Sequence, residues 1–430
     1  MTHVLTTLRN SFSPLQFPNF RTYLSGQSIS LIGTWLQVTA QGWLIWTLTG
    51  SEAASGLVAM LNALPLLLFG AYAGVWAERL DRRKLLIVTQ ICAMLLAFVL
   101  AFLVQSQLVE IWHVFVLSFL LGTVNAFDLP TQQTFLGDLS GMGEVRKAVN
   151  LNAMMLQVSR VIGPALAGII VARVGIAPAF WLNGISFLAV VATLVAVRSN
   201  QVMRPNLAPV QPLKALGEAL RYLGTQPRLQ DLFIVAILVV FLFFSIIFSQ
   251  LPAVASKLLN GDASTLGTIQ AFAGAGSLIA VILIMPLAQS LKRIGIVFAS
   301  ALVWMGVWWL VFSASRSVAL SSIAIFFGSM GAPTVLATAL GLLQVMVPID
   351  MRSRIISLFT MISFGLQTFT VLIIGFVAEN LGVGTAIEIN GVLLIVGAVA
   401  LLLFRPEFRN WEMTAQPIPP PVSVAVVSGD

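Results

Sequence analysis

The sequence predicts an all-α membrane protein of twelve transmembrane helices, arranged as two pseudo-symmetric six-helix halves. Three observations carry that expectation. Hydrophobic residues make up 58% of the 430-residue chain and charged residues only 9%, too little charge to cover a soluble surface, so lipid is the expected solvent. The charges gather in short breaks between long apolar runs. A pattern of Gly and Asn in the first half returns in the second at one offset.

A span needs about 20 apolar residues, and irregular backbone cannot face lipid, so each run is read as a helix. The runs are 20–48, 55–77, 85–105, 112–135, 149–172 and 177–197, then 229–253, 264–290, 294–314, 318–345, 355–378 and 385–404. They divide the chain into an N-terminal segment 1–19, a first half 20–197, a central linker 198–228, a second half 229–405 and a Pro-rich tail 406–430. The N-terminal segment is polar, holds two prolines and lacks the pattern of a cleaved leader, so the first span is expected to remain. Within the linker, 213–223 is apolar and basic; it reads either as a short interfacial helix or as part of a plain tether.

Nineteen Lys and Arg fall in the terminal segments, the even-numbered breaks and the linker. Three, Arg173, Lys257 and Arg316, fall on the opposite side. Basic loops stay cytoplasmic, so both termini are expected there. The net charge of +7 is thereby an orientation signal and implies no nucleic-acid partner. The lone Cys92 and the two histidines, His3 and His113, support no disulfide, no metal site and no cofactor. A membrane enzyme would need paired carboxylates with His, or a nucleophile with its base, and no such cluster is apparent.

Gly168, Gly175, Asn183 and Gly184 recur as Gly375, Gly382, Asn390 and Gly391, each 207 residues later, and Gly122 and Gly328 stand 206 apart. Small residues let neighbouring helices approach closely, and their recurrence reads as a duplication.

The most charged stretch is Gly74-Val-Trp-Ala-Glu78-Arg79-Leu-Asp81-Arg82-Arg83-Lys84, with six charges in eleven residues between two apolar runs. It is expected to be a short surface loop. Its order resembles the signature loop between spans two and three of the major facilitator superfamily. In the fifth span, Arg160-Val-Ile-Gly163-Pro164-Ala-Leu-Ala-Gly168 resembles the Gly-Pro motif of the exporting, antiporter-type members, without its leading glycine; the competing reading is a kink that serves packing. Gly33-Thr-Trp-Leu-Gln37, Leu48-Thr-Gly-Ser51 and Asp128-Leu-Pro130-Thr-Gln-Gln-Thr resemble the bacterial transmembrane secretion effector group, which is enterobactin-exporter-like.

The resemblance implies a major facilitator fold with the substrate site near the midplane between the halves. It implies that Glu78 approaches the start of the eleventh span, around 352–355, with Arg352 or Arg354 as charge partner. Arg79 or Arg82 would pair with cytoplasmic carboxylates when that side is closed. The equivalent loop of the second half keeps only Lys292 and Arg293, so this latch is expected to be one-sided.

Gln27, Ser30, Thr34, Gln37 and Gln41 step by three or four along the first span and share one face. They line a wet cavity or hydrogen-bond neighbouring helices. Asn62, Gln250, Gln270, Gln344 and Gln367 are weaker candidates of the same kind. Asp128 and Arg160 are opposite charges deep in spans four and five, at similar depth. Mutual pairing is the expectation, with Asp128 either the proton-coupling carboxylate or half of a static pair.

The function expected is proton-coupled export of a small amphipathic molecule, siderophore-like or drug-like, by alternating access. The setting is the bacterial inner membrane, and the protein is expected to be monomeric. An importer, a lipid flippase and a non-transporting membrane partner are the alternatives.

Overall fold

The computed structural model describes residues 12–141, 143–197, 212–285, 287 and 293–411. In the first half the helices are α1 (Pro18–Thr49), α2 (Glu52–Arg79), α3 (Arg82–Gln105), α4 (Ile111–Ser140), α5 (Val145–Val174) and α6 (Ala177–Ala196). The linker helix α7 (Pro212–Gly224) follows. The second half holds α8 (Pro227–Ser249), α9 (Ala263–Ile284), α10 (Ile294–Ala314), α11 (Val318–Met346), α12 (Ile349–Leu381) and α13 (Val383–Phe404). Among the described residues, eleven helices are long and apolar enough to cross a bilayer. The twelfth is α1, 32 residues long and diluted by its polar residues.

Local chemistry ends these helices where charge and glycine allow. Ser51 caps α2 by accepting from the Ala54 amide, and Asp81 caps α3 by accepting from the Lys84 amide. The expected loop Gly74–Lys84 is therefore much shorter than the charge pattern implied. The backbone stays helical through Arg79, and only Leu80 and Asp81 stand between α2 and α3. Charged residues do not break a helix that has reached the membrane surface; the cap does.

The repeated residues do the same work in both halves. Asn183 of α6 donates to Gln37 of α1 at 2.7 Å, and Asn390 of α13 donates to the Leu242 carbonyl of α8 at 3.0 Å. Gly175 and Gly382 close α5 and α12 at φ 101° and 86°, a region that favours glycine. The linker helix belongs with the second half: its Ala219 and Tyr222 are buried in that core, and Glu218 pairs with Arg354 of α12.

The halves meet along two helix pairs, α5 with α9 and α2 with α12. A Cβ on Gly267 would come within 2.5 Å of the Pro164 carbonyl, and one on Gly56 within 2.5 Å of the Val371 carbonyl. Both crossings lie on the side opposite Phe12 and Trp411, here called the distal side. Polar links across the seam lie there too: Lys257 to Glu52 at 2.7 Å, Ser51 and the Ala53 amide to Glu379 at 2.9 and 3.1 Å, and Thr39 to Gln270. Toward the terminal side, α2 instead carries the exposed Leu68, Tyr72 and Trp76, followed by exposed Leu80 just past its end.

Candidate functional site

Asp128 is buried in α4, on the face turned to α3. Its Oδ1 accepts from the Thr89 hydroxyl at 2.6 Å and from Gln90 Nε2 at 2.9 Å. On the same side the Tyr23 hydroxyl bonds the Gln132 side chain, one turn on from Asp128, and the Tyr23 ring meets Phe135 edge-on at 5.4 Å. Arg160 sits at the middle of the 30-residue α5. Its guanidinium lies over the Trp35 ring of α1 at 4.7 Å and near the Phe248 ring of α8 at 5.8 Å. Nη1 reaches Gln157 Oε1 at 3.3 Å, and Nε is buried without a partner.

The expected Asp128–Arg160 pair does not form. Neither residue makes an ion pair among the described residues. Equal depth is not a shared face: Asp128 looks toward α3, whereas Arg160 looks toward α1 and the second half. The helices also run longer than expected. With α4 ending at Ser140 and α5 starting at Val145, both charges lie further from the terminal surface than spans ending at 135 and starting at 149 implied. An ionised side chain at the centre of a spanning helix costs at least about 2.5–3.5 kcal/mol. Asp128 offsets this with neutral donors and Arg160 with aromatic faces.

The polar face of α1 divides between packing and opening. Gln37 accepts from Asn183, and Gln41 donates to Ser118 at 2.8 Å, so both tie α1 to its own half. Gln27 and Ser30 are buried, with Gln27 Oε1 unpartnered, and Thr34 is half-buried. Of the weaker candidates, Asn62 donates to the Ser118 carbonyl at 3.4 Å, and Gln250 donates to the Glu52 carbonyl and to Ser249.

The helix-5 motif lies on the seam. Gly163 packs against Trp35 and the α1 backbone, while Pro164 and Gly168 face Gly267. In the charged stretch, Arg82 binds both oxygens of Asp138 at 2.8 and 2.9 Å, and Arg83 donates to the Leu194 and Val195 carbonyls that end α6. Arg79 is exposed. The surroundings of Gly74 and the side chain of Glu78 lie outside the described residues, as do Lys292, linker positions 198–211 and the tail beyond 411. Arg354 faces Glu218, and Arg352 donates to the Val347 carbonyl.

Residue patterns missed the partners that matter most here. Thr89 and Gln90 look like ordinary polar residues in an apolar span. Phe248 sits in the apolar run Phe241–Phe248, where spacing marks packing. Trp35 did carry a signal, within Gly33–Gln37. Glu52 follows Leu48–Ser51, and Lys257 was one of only three distal bases.

Comparison with known proteins agrees with this fold. The model of the transmembrane secretion effector family matches residues 9–428. The chain is 25% identical to the staphyloferrin A transporter of Staphylococcus aureus over 64% of this chain and 68% of that protein. It is 24% identical to macrolide efflux protein A of Streptococcus pyogenes over 65% and 69%. It is 20% identical to the multidrug efflux pump Tap of Mycolicibacterium fortuitum over 90% and 95%. In fold it resembles an inward-facing, unoccupied bacterial homologue of the human lysosomal transporter Spinster, with a TM-score of 0.70 at 14% identity over 92% and 98% of the two chains. A peptide transporter of the POT family in complex with sulfate gives 0.74 at 12% identity over 91% and 95%. This multi-pass membrane protein is a secondary transporter belonging to the transmembrane secretion effector family of the major facilitator superfamily.

Proposed function

We propose that this protein exports a small amphipathic molecule across the bacterial inner membrane by alternating access, in exchange for protons. The basic-residue bias places the terminal side in the cytoplasm. On that reading the seam is closed toward the periplasm and the state described is inward-open. The moving bodies are the helices of 20–197 and those of 229–405, with α7 carried by the second.

The observation that carries coupling is Asp128. Among the described residues this membrane-embedded carboxylate is held by Thr89 and Gln90 and has no cation partner to keep it ionised. It can gain and lose a proton without leaving an orphaned base. Pro130, two residues on inside α4, removes a backbone donor and gives the helix a point of flexure. The relatives named as efflux proteins and the Gly-Pro motif on the seam support the outward direction. Import, lipid flipping and a non-transporting role remain the competing outcomes.

The test compares secreted metabolites from strains lacking the protein, carrying it and carrying Asp128→Asn. The wild type is expected to release a compound that the deletion retains. Asp128→Asn should keep exchange of that compound across vesicles but lose its proton-driven accumulation. Intact proton-driven accumulation in a well-expressed Asp128→Asn protein would remove Asp128 from the mechanism. Uptake of the compound by the wild type would reverse the direction.

A further inference from the structure

We infer that Arg160 is the seat for an anionic group on the transported molecule, so that the substrate is a lipophilic or aromatic anion. This deepens the exporter reading and rests on it. The chain has one fixed positive charge at the middle of α5 that is matched by no carboxylate among the described residues. Among the described residues its Nε is buried and bonds nothing, and its one hydrogen bond is the long 3.3 Å link from Nη1 to Gln157. A guanidinium presents five donors in a planar fork suited to a carboxylate or phosphate. Here most of them are unused.

The placement fits a binding role. The Arg160 carbonyl is packed on the seam, where a Cβ on Gly274 would come within 2.5 Å of it. Side chains lean toward a helix's N-terminus, which for α5 is the terminal, open side. The charge therefore hangs just below the closed part of the seam. Trp35 from the first half and Phe248 from the second flank it. An anion there would neutralise the lone charge, and an apolar or aromatic body attached to it would lie along the two rings. Because the rings come from different halves, such a ligand touches both moving bodies at once. Occupancy can then bias one arrangement of the halves over the other. A π-helical stretch, Val240–Phe244, precedes Phe248 in α8, and such bulges recur at functional sites.

The test uses purified full-length protein and three probes of one shape: 1-naphthoate, 1-naphthalenemethanol and 1-naphthylmethylammonium. Titration calorimetry should show 1-naphthoate binding at least tenfold tighter than the neutral alcohol, and the ammonium weakest. Arg160→Gln should erase the preference for the anion while leaving the alcohol unchanged. Arg160→Lys should retain part of it, which separates lost charge from lost folding. Trp35→Leu should weaken all three alike.

Equal affinity for the three probes, no detectable binding of 1-naphthoate at millimolar concentration, or unchanged anion preference in folded Arg160→Gln would overturn the assignment. The metabolite comparison above separates the two readings. A transported compound bearing no acidic group overturns the anion seat and leaves transport standing. An acidic compound that the wild type takes up overturns export and leaves the seat standing.

Discussion

The two ends of the seam between the halves are built from different materials. At the distal end, helices of opposite halves touch backbone to backbone through Gly56, Gly267 and Gly375, and the polar links Lys257–Glu52 and Ser51–Glu379 cross between the halves. At the terminal end, the ion pairs seen among the described residues bind within a half. Arg82 holds Asp138, Arg83 holds the end of α6, and Ser13 and Lys147 hold Glu144 in the first half. Glu218 holds Arg354, and Arg405 lies 3.9 Å from Asp231, in the second. One end joins bodies and the other stiffens them. Contacts that cross the seam set the balance of states, whereas contacts within a half set stability, and substitutions can tell the two apart.

The largest effect is expected from the distal crossing. Gly267→Leu places a side chain against the Pro164 carbonyl, which cannot turn aside as a flexible side chain would. Overpacking of this kind costs about 1–3 kcal/mol, here charged mainly to the closed seam. Spin labels on the distal ends of α5 and α9 should report wider separations, and transport should fall by roughly 5- to 150-fold for the corresponding shift in population. Unchanged distances with normal transport would mean that the crossing is not a gate.

Next comes the ion pair across the seam. Glu52 is buried and Lys257 about half exposed, so solvent screening reduces the pair's worth. Lys257→Met leaves Glu52 unpaired and should favour the open seam by about 1 kcal/mol. The same spin-label distances should lengthen for a minority of molecules, and Glu52→Gln in the same chain should restore them.

Arg82→Ala should do the opposite kind of thing. It breaks a mostly buried pair inside one half and should lower thermal stability by about 1–2 kcal/mol, with the seam distances unmoved. A change in distances without a change in melting would place Arg82 among the latch residues instead.

The smallest effect concerns acid. Hydrogen bonding from Ser13, then from Lys147, holds the Glu144 carboxyl below its ordinary value of 4.5. A depressed carboxylate contributes stability above its unfolded value and loses it as pH falls through the folded one. Melting temperature should therefore drop slightly as pH falls below about 4.5, and Ser13→Ala should flatten that drop. An identical pH profile in the variant would show that the contact contributes nothing.

The arrangement of spans and the recurrence of Gly and Asn between the halves were legible in order along the chain, whereas the place of the α5 Gly-Pro stretch on the seam was not. Apolar length, basic bias and recurring Gly and Asn are local properties, and a bilayer converts them directly into helices and neighbours. The expected Asp128–Arg160 pair failed for a reason the chain cannot display. Depth follows from counting residues along a helix, but facing depends on how each helix is rotated against its neighbours. A few residues of error in the ends of α4 and α5 moved the depth estimate as well.

By itself, then, the amino-acid order determined a twelve-helix membrane protein in two like halves, with most of its basic residues toward one surface and a few polar groups inside. Tertiary structure alone decided which of those groups meet. It gave Asp128 to Thr89 and Gln90, set Arg160 between Trp35 and Phe248, tied Gln37 and Gln41 into packing, and joined Lys257 to Glu52 across 205 residues. The physical reason is that lipid selects for helices through each segment's own composition, whereas the rotation and pairing of those helices are chosen by close packing between segments far apart in the chain.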